Sequence, residues 1–501
     1  MTDQDWPAPG PGLWIRLADH FDRPWTAEYE RIFVPTFVAG SLAWSVPFGL
    51  PGKMGVETVH GYPFIHVEPL AGPDLTRSVP KPLVWLLARV VPALRRCEKN
   101  AAKTLQERPW RASAEKWWHH DRDAAIAENR ALSNVDVARL PDLELARHLE
   151  ECEALVFAGY RKHFELHGTD LLPLGVYLAA CKEWGIETAV ALDLIVEGAS
   201  DMRRSNLDPE DLAHCVVGGY DFDRPRFCEL PDEVVERLAT ASAPSFASRL
   251  DRVDDIVRPE HREAFDILLG DARTVFPVRD DNGVVLGAWR FGLLRRAYLE
   301  IGQRLQAEDV IEATVPELVA ALGARAPLPP LAERAAERTR WARVDAPLRI
   351  GTGVVPEVSM LPPAMRRIAA GQITLGDMIE RDHMGDLEGL GIGDQPAGGI
   401  ARVVSDADDA IMRLQSGDVL VVRVTSPAFN VVLPLVSAIV TEHGGAMSHA
   451  AIWARELRVP AIVGVKDATH RIRDGERIHV DPRSGRVVVV DAQLAPKSVT
   501  P

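Results

Sequence analysis

The chain has 501 residues, 47% hydrophobic and 26% charged, a composition typical of a globular protein with several domains. Its formal net charge of -15 argues against nucleic-acid and anionic-membrane partners, because such a charge repels polyanions. No apolar run is long enough for a membrane span and no signal-peptide pattern opens the chain, so we expect a cytoplasmic protein.

Residues 1–345 are predicted to form an all-α domain. Apolar residues recur there at three- and four-residue spacing, most clearly in 81–100, 145–167 and 289–305. Eleven of the twelve tryptophans fall in this half. They either pack between helices or line a pocket for a flat organic substrate, and the sequence leaves both interpretations open.

A predicted helix near residue 295 carries a row of charges. Arg296, Glu300 and Arg304 share one helix face, which predicts a solvated salt-bridge surface. In the alternative interpretation, Arg295 or Arg296 faces an acceptor site and binds a phosphoryl group.

Two features that resemble metal or nucleotide sites are weak. His119–His120 and the pair His163 and His167 have no neighbouring carboxylate arrangement, so packing or surface roles are favoured over metal ligation. The segment GLPGKMG (49–55) has a Gly-Lys pair, but Met54 stands where a phosphate-binding loop needs Ser or Thr. We therefore predict no metal site and a plain turn.

The composition changes after residue 345. Residues 346–395 are rich in Gly, Pro and Asp and are predicted to be a linker or hinge. Residues 396–493 are predicted to form a compact α/β domain, with one amphipathic helix between its second and third strands, and 494–501 a polar tail. The predicted strands are 419–424, 437–441, 461–465, 478–482 and 486–491.

The strand at 437–441 leads into the motif with the clearest chemistry. A Gly444–Gly445 loop follows it, and a helix is predicted to begin at Ser448 or His449, with Ser448 as its N-cap. Unpaired amides at a helix N-terminus, preceded by glycines, bind phosphate oxygens. The helix dipole also favours a neutral imidazole, which can attack phosphorus. The residues alone leave two interpretations of His449 open: a nucleophile that accepts a phosphoryl group, and a capping or packing residue.

The segment from Thr441 to Gly464 resembles the swivelling phosphohistidine domain, or PEP-utilising enzyme mobile domain, of the dikinase-type phosphotransferases. This family includes phosphoenolpyruvate synthase, pyruvate phosphate dikinase, rifampin phosphotransferase and phenylphosphate synthase. The resemblance implies that His449 is the phosphorylated, catalytic residue. It also implies a set of residues that shape the loop or bind phosphate: Thr441, Gly444, Gly445, Ser448 and Arg455.

The resemblance extends to the acceptor. Met447 stands where the phosphoenolpyruvate enzymes usually have a hydroxyl residue, which resembles the rifampin branch, and 9–26 and 281–305 are similar to an acceptor-binding helical domain. It implies transfer to a hydroxyl of a small aromatic compound, with phenol or cresol as the preferred class. Two alternatives stay open: a rifamycin-type antibiotic phosphotransferase subunit, and a non-catalytic phosphorelay or regulatory protein.

The resemblance also bears on the phosphoryl donor. Enzymes of this family bind ATP in an ATP-grasp domain, for which this sequence shows no motif. We therefore expect a separate ATP-grasp-type nucleotide-binding subunit that binds ATP and Mg2+ and phosphorylates His449 in trans.

Overall fold

The structure is a computed structural model that describes residues 6–18, 21, 23–69, 90–198, 207–217, 221–239, 256–344, 346–352, 361–376, 387–446 and 448–490. The part of the chain up to residue 376 is mostly helical, and residues 387–490 form a sheet domain.

Helices α1–α14 build the first part. They are α1 (Ala27–Ser45), α2 (Pro92–Glu107), α3 (Trp110–Lys116), α4 (Arg122–Ser133), α5 (Asp142–Asp170), α6 (Leu172–Glu183), α7 (Thr188–Gly198), α8 (Pro209–Leu212), α9 (Asp232–Ala239), α10 (Arg262–Gly283), α11 (Trp289–Leu305), α12 (Val315–Ala324), α13 (Leu331–Ala342) and α14 (Pro363–Gly376). Two π-helical turns, Trp117–Asp121 and Val284–Ala288, precede α4 and α11. Side chains cap the N-termini of two of these helices. The Thr26 hydroxyl accepts from the Tyr29 amide at α1, and Thr314 and Glu317 form a capping box at α12.

Helices α1, α5 and α11 pack around an aromatic core. Tyr29 and Phe33 of α1 meet Tyr160 of α5 and Phe291 of α11, and the two tyrosine hydroxyls lie 2.5 Å apart. Most of the tryptophans are buried in this and the adjoining clusters, which supports the packing interpretation of these residues: Trp6, Trp14, Trp25, Trp44, Trp110, Trp117 and Trp289.

A four-stranded antiparallel sheet lies beside these helices, so the prediction of an all-α N-terminal domain is wrong. Its order is β2–β3–β1–β4, with β1 at Leu13–Arg16, β2 at Gly52–Val59, β3 at Tyr62–Pro69 and β4 at Arg349–Gly351. Trp14 of β1 pairs with Ile350 of β4, which is more than 300 residues later in the sequence. This sheet depends on long-range pairing, which local periodicity does not reveal.

The C-terminal domain is a seven-stranded sheet in the order β11–β10–β6–β7–β8–β9–β5. Its elements are β5 (Leu390–Ile392), β6 (Ala397–Val403), α15 (Ala407–Arg413), β7 (Val419–Val422), β8 (Ala438–Thr441), α16 (His449–Leu457), β9 (Ala461–Val463), α17 (Ala468–Arg471), β10 (Arg477–Asp481) and β11 (Arg486–Val489). Strands β6 to β9 are parallel, and β7 and β8 are buried along their whole length, as expected for a sheet covered on both faces. All five predicted strands and the predicted helix are present.

The predicted linker at 346–395 contains folded segments. Strand β4 joins the N-terminal sheet, α14 packs against α6, and β5 pairs with β9 of the C-terminal sheet. The α6–α14 contact is close: a Cβ added at Gly175 would lie 2.2 Å from the carbonyl oxygen of Gly371.

The helical part and the sheet domain interlock. Ile452 of α16 lies in an apolar cluster with Tyr177 and Phe276 of the helical part. In the opposite sense, Val217 and Val234 of the helical part enter the apolar core of the sheet domain. Each part thus buries apolar side chains of the other.

Charged groups also bridge the two parts. On one side, Asp408 at the start of α15 pairs with Arg23 and Arg224, each at 3.0 Å. On the other side, Glu456 of α16 pairs with Arg279 at 3.5 Å. The contact therefore places α16, which begins at His449, against the helical part.

Within the described residues, no helix combines the length and apolar character that crossing a bilayer requires. All five cysteines have free thiols.

Candidate functional site

The loops after β7 and β8 meet at one edge of the C-terminal sheet. These strands are parallel neighbours, with Val422 opposite Thr441, so their carboxyl ends lie side by side. In sheets of this kind, loops at the carboxyl ends of the strands form the ligand site. Here the loop after β8 supplies His449, and the loop after β7 supplies Thr425 and Asn430.

The backbone from β8 to α16 sets the position of His449. Thr441 is buried at the end of β8 and donates its hydroxyl to the His443 carbonyl at 2.8 Å. Gly444 has a φ of 126°, a left-handed conformation that favours glycine, and a Cβ there would lie 2.7 Å from Ser448 Oγ. The Gly445 carbonyl accepts from the Ser448 amide at 3.1 Å. The loop thus needs Gly444 to bring the N-cap residue close.

Ser448 caps α16, and the helix begins at His449. The Ser448 hydroxyl accepts from the Ala451 amide at 3.4 Å, in the arrangement typical of an N-cap. First-turn amides of this nine-residue helix provide the anion-favouring environment that the sequence indicates. Met447 lies outside the described residues.

Two side chains hold the imidazole of His449. Nδ1 lies 2.9 Å from the Thr425 hydroxyl and Nε2 lies 2.7 Å from the Asn430 amide oxygen. Thr425 is buried, whereas Asn430 and the imidazole are half-buried. Nε2 therefore faces the more open side and is the nitrogen that can meet an incoming phosphoryl group.

Thr425 and Asn430 are site residues that the sequence motif around His449 does not predict. The usable signal was their place in the loop after a buried strand next to β8, because parallel neighbours end at the same edge. Either tautomer of His449 can be accommodated, since a hydroxyl both donates and accepts and a primary amide offers one group of each kind.

Arg455 anchors the loop from the helix side. Its Nη1 donates to the carbonyls of Ala446 at 2.6 Å and Ala451 at 3.1 Å, and Nε lies 3.4 Å from an Asp193 carboxylate oxygen in the helical part. Burial lowers the pKa of Arg455 to about 10, so the guanidinium is still charged at pH 7. Its described contacts are with the loop backbone and with the other domain.

Arg295 and Arg296 lie in the helical part with partners of their own. Arg295 donates to Glu229 at 2.8 Å and to two backbone carbonyls, and Arg296 donates to the carbonyls of Ser133 and Leu132. No described contact joins either residue to the loop around His449. The predicted ion pair between Arg304 and Glu300 is present at 2.8 Å.

No metal cluster accompanies this site in the described ranges, where groups of three or more His, Cys, Asp or Glu with metal-binding geometry are absent.

Comparison with known proteins identifies the domain that carries His449. Residues 414–485 match the family model of the PEP-utilising enzyme mobile domain. The chain is 43% identical over 112 residues to phosphoenolpyruvate synthase of Escherichia coli (strain K12), which covers 22% of this chain and 14% of that protein. It is 42% identical over 106 residues to rifampicin phosphotransferase of Streptomyces sviceus, covering 21% and 12%.

A third relative is the uncharacterized phosphotransferase YvkC of Bacillus subtilis (strain 168), 32% identical over 166 residues, or 32% of this chain and 19% of that protein. The chain thus spans less than a fifth of the length of each of these three relatives. The C-terminal domain, with His449 at the start of α16, is therefore similar to the PEP-utilising enzyme mobile domain and to the matching segments of phosphoenolpyruvate synthase and rifampicin phosphotransferase.

Proposed function

We propose that this chain is a phosphotransferase subunit that carries a phosphoryl group on His449 and transfers it to a hydroxyl of a small aromatic acceptor, with phenols as the preferred class. The observation that supports it most directly is the geometry of His449, held by Thr425 and Asn430 at the start of a capped helix behind a glycine loop. The enzyme works in the cytoplasm, where ATP is available.

The proposed chemistry has two steps. In the first, the Nε2 lone pair attacks phosphorus, an N–P bond forms and the P–O bond of the donor breaks. In the second, an acceptor oxygen attacks phosphorus, the P–N bond breaks and the hydroxyl proton passes to a base. In the nucleophilic tautomer, the Nδ1 hydrogen of His449 is donated to Thr425 and the Asn430 amide turns its NH2 group to Nε2. The glycine loop and helix amides bind the phosphoryl oxygens.

Replacing Thr425 by valine should slow phosphorylation of His449 about tenfold, because one hydrogen bond that orients the ring and sets its tautomer is lost while the shape is kept. The measurement is the rate at which acid-labile phosphate accumulates with phosphoramidate as a small phosphoryl donor. Ser426→Ala is the matched control: Ser426 is equally buried, and its hydroxyl has no hydrogen-bond partner among the described residues. Equal rates for T425V and S426A would show that the Thr425 contact is incidental.

For the donor, we infer a separate ATP-grasp-type subunit that binds ATP and Mg2+, with Mg2+ offsetting the phosphate charge. The Gly-Lys pair of the segment 49–55 lies at the start of β2, paired with β3, where Lys53 stands opposite Glu68. A strand in a regular ladder does not present the concave row of amides that binds a triphosphate. This supports a nucleotide site on a partner.

For the acceptor, we infer an aromatic compound from the resemblance of the segments 9–26 and 281–305 to an acceptor-binding helical domain, and not from the tryptophans, most of which are buried in the core. A rifamycin-type antibiotic is the second candidate, because rifampicin phosphotransferases are among the relatives. Movement of the mobile domain, so that His449 visits both donor and acceptor, is part of the proposal.

The test separates these acceptors. Protein labelled on His449, either by an ATP-grasp-type partner protein with ATP and Mg2+ or by phosphoramidate, is mixed with phenol, with rifampicin, or with neither. Transfer of label to phenol supports the proposed function, and transfer to rifampicin alone identifies the antibiotic enzyme. Label that stays on the protein with every acceptor would overturn an enzymatic role and leave the phosphorelay alternative.

A further inference from the structure

The side of α16 that carries His449 is turned toward the helical part. His449, Ile452 and Glu456 are three and four residues apart, so their side chains lie along one side of this helix. Ile452 lies in one apolar cluster with Phe276 of α10, and Glu456 pairs with Arg279 of the same helix at 3.5 Å. We call this side, defined by His449, Ile452 and Glu456, the docked face of α16.

Charges on α16 set its orientation against the helical part. Arg455 Nε lies 3.4 Å from an Asp193 carboxylate oxygen on α7, whereas Glu456 pairs with Arg279 on α10. Two neighbouring residues of opposite charge thus meet opposite charges on two different helices. This pattern favours one orientation of the mobile domain, because other placements bring like charges together.

A second docking contact involves α15 of the mobile domain. Asp408, in the first turn of α15, accepts from Arg23 and Arg224 of the helical part, each at 3.0 Å and each through a different carboxylate oxygen. Arg237 of α9 donates to the Ile411 carbonyl of the same helix. Asp408 therefore joins α15 to two segments of the helical part that are far apart in the sequence.

The helical part itself positions the two arginines that meet Asp408. Arg23 also pairs with Asp223 at 2.5 Å, and Asp223 pairs with Arg338 of α13 at 2.8 Å. Arg224 follows Asp223 directly, and its side chain is 4% exposed, whereas that of Asp408 is 43% exposed. Arg23 and Arg224, the arginine pair, thus form a prepared site, and Asp408 is the half-exposed group that enters it.

The docked position and the proposed loading of His449 conflict. His449 has to leave the helical part to enter the nucleotide site of a separate subunit, because α7 and α10 cover the docked face in this conformation. Buried apolar contacts such as that of Ile452 resist this movement at any salt concentration. Half-exposed ion pairs are weak singly and are screened by salt. The contact of Asp408 is therefore the part of the docking surface that opens most readily.

We propose that Asp408 and the arginine pair form a latch that holds the mobile domain on the helical part, and that opening of this latch releases the docked face with His449. The latch is an autoinhibitory contact, because it opposes loading of His449 by another subunit. That role rests on the proposed function, whereas the latch itself is open to test without any phosphoryl donor.

The experiment measures how often the docked face opens. In the full-length chain, Cys228→Ser removes the exposed native thiol, and Ile452→Cys places a thiol on the docked face. Ile452 is 7% exposed, so a maleimide reaches the introduced thiol when α16 leaves the helical part. Asp408→Asn in this parent should raise the labelling rate about tenfold, because the charge that meets the arginine pair is lost while the shape is kept. About 1 M salt should speed the parent more than this variant.

Two controls separate opening of the latch from other effects. Asp409→Asn, at the next residue, makes the same change of charge, but Asp409 pairs within α15 with Arg413 at 2.8 Å. This variant should be labelled at the rate of the parent. Cys152, buried in the aromatic core, reports global unfolding, and its labelling, followed by mass spectrometry, should stay slow in every variant.

Equal labelling rates in the parent and the D408N variant would overturn the latch. An equal rise in D408N and D409N would do the same, because the loss of any charge on α15 would then be sufficient.

Uptake of acid-labile phosphate from phosphoramidate tests the proposed function separately. D408N should take up phosphate at least as fast as the parent, since Asp408 has no part in the proposed chemistry, and loss of uptake in D408N alone would count against the latch. Faster thiol labelling in D408N, with no acid-labile phosphate on the parent or any variant, would overturn the proposed function and leave the latch in place.

Discussion

Replacing His449 by alanine should abolish uptake of acid-labile phosphate and all transfer to acceptors. The imidazole supplies the only protein atom that bonds to phosphorus in the two proposed steps, so its removal leaves binding without covalent chemistry. The phosphate content of the protein after reaction with phosphoramidate, or with ATP, Mg2+ and the ATP-binding partner, is the measurement. Label on wild type and none on H449A is the expected result.

The control for this variant is His470→Ala, an exposed histidine of α17 in the same domain. It should take up label like wild type. Melting temperature should change little in either variant, because substitutions of exposed or half-buried groups outside the core have small effects on the free energy of unfolding. Acid-labile label that persists in H449A at the wild-type level would move the phosphorylated residue elsewhere in the chain.

Replacing Gly444 by alanine should lower the rate of His449 phosphorylation about 100-fold. The new Cβ would lie 2.7 Å from Ser448 Oγ and 2.8 Å from Ser448 Cβ, so the N-cap residue and the histidine after it must move. A displacement of about 1 Å at a reacting group costs a factor of this size. The rate is measured with phosphoramidate, over a range of its concentration.

Gly417→Ala separates this effect from backbone strain. Gly417 also has a positive φ, 87°, but an added Cβ meets no described atom within 4 Å. Both variants carry the cost of a left-handed alanine, about 1–3 kcal/mol, and should lose similar stability. Only G444A should lose phosphorylation rate. If both variants lost it equally, general destabilisation and not the position of Ser448 would be the cause.

The sequence was sufficient for the parts of the fold that depend on short-range patterns. Strands β7 to β11 are short, apolar and separated by turns, and the capped start of α16 follows from Ser448 and the glycines before it. The small N-terminal sheet was missed because its strand β1 pairs with β4, more than 300 residues later. Neither strand has a periodic pattern long enough to compete with the helical signal around it.

The candidate site likewise contains residues that the sequence predicts and residues that it does not. His449 follows from a contiguous motif, whereas Thr425 and Asn430 become visible only when β7 and β8 are known to be parallel neighbours. Arg296 was predicted either on a solvated face or at an acceptor site, but it donates to the carbonyls of Leu132 and Ser133 at the end of α4, a contact between distant segments that helix periodicity does not encode.

The mutual insertion of apolar side chains between the helical part and the sheet domain limits how freely the mobile domain can be exchanged between relatives. Ile452 needs the pocket around Tyr177 and Phe276, and the sheet domain in turn needs Val217 and Val234 to complete its core. A mobile domain transplanted from a relative would retain its phosphorylation chemistry. It would pack poorly both in the pocket around Tyr177 and Phe276 and against Val217 and Val234. Functional chimeras should therefore require the matching residues of the helical part to be transplanted together with the domain.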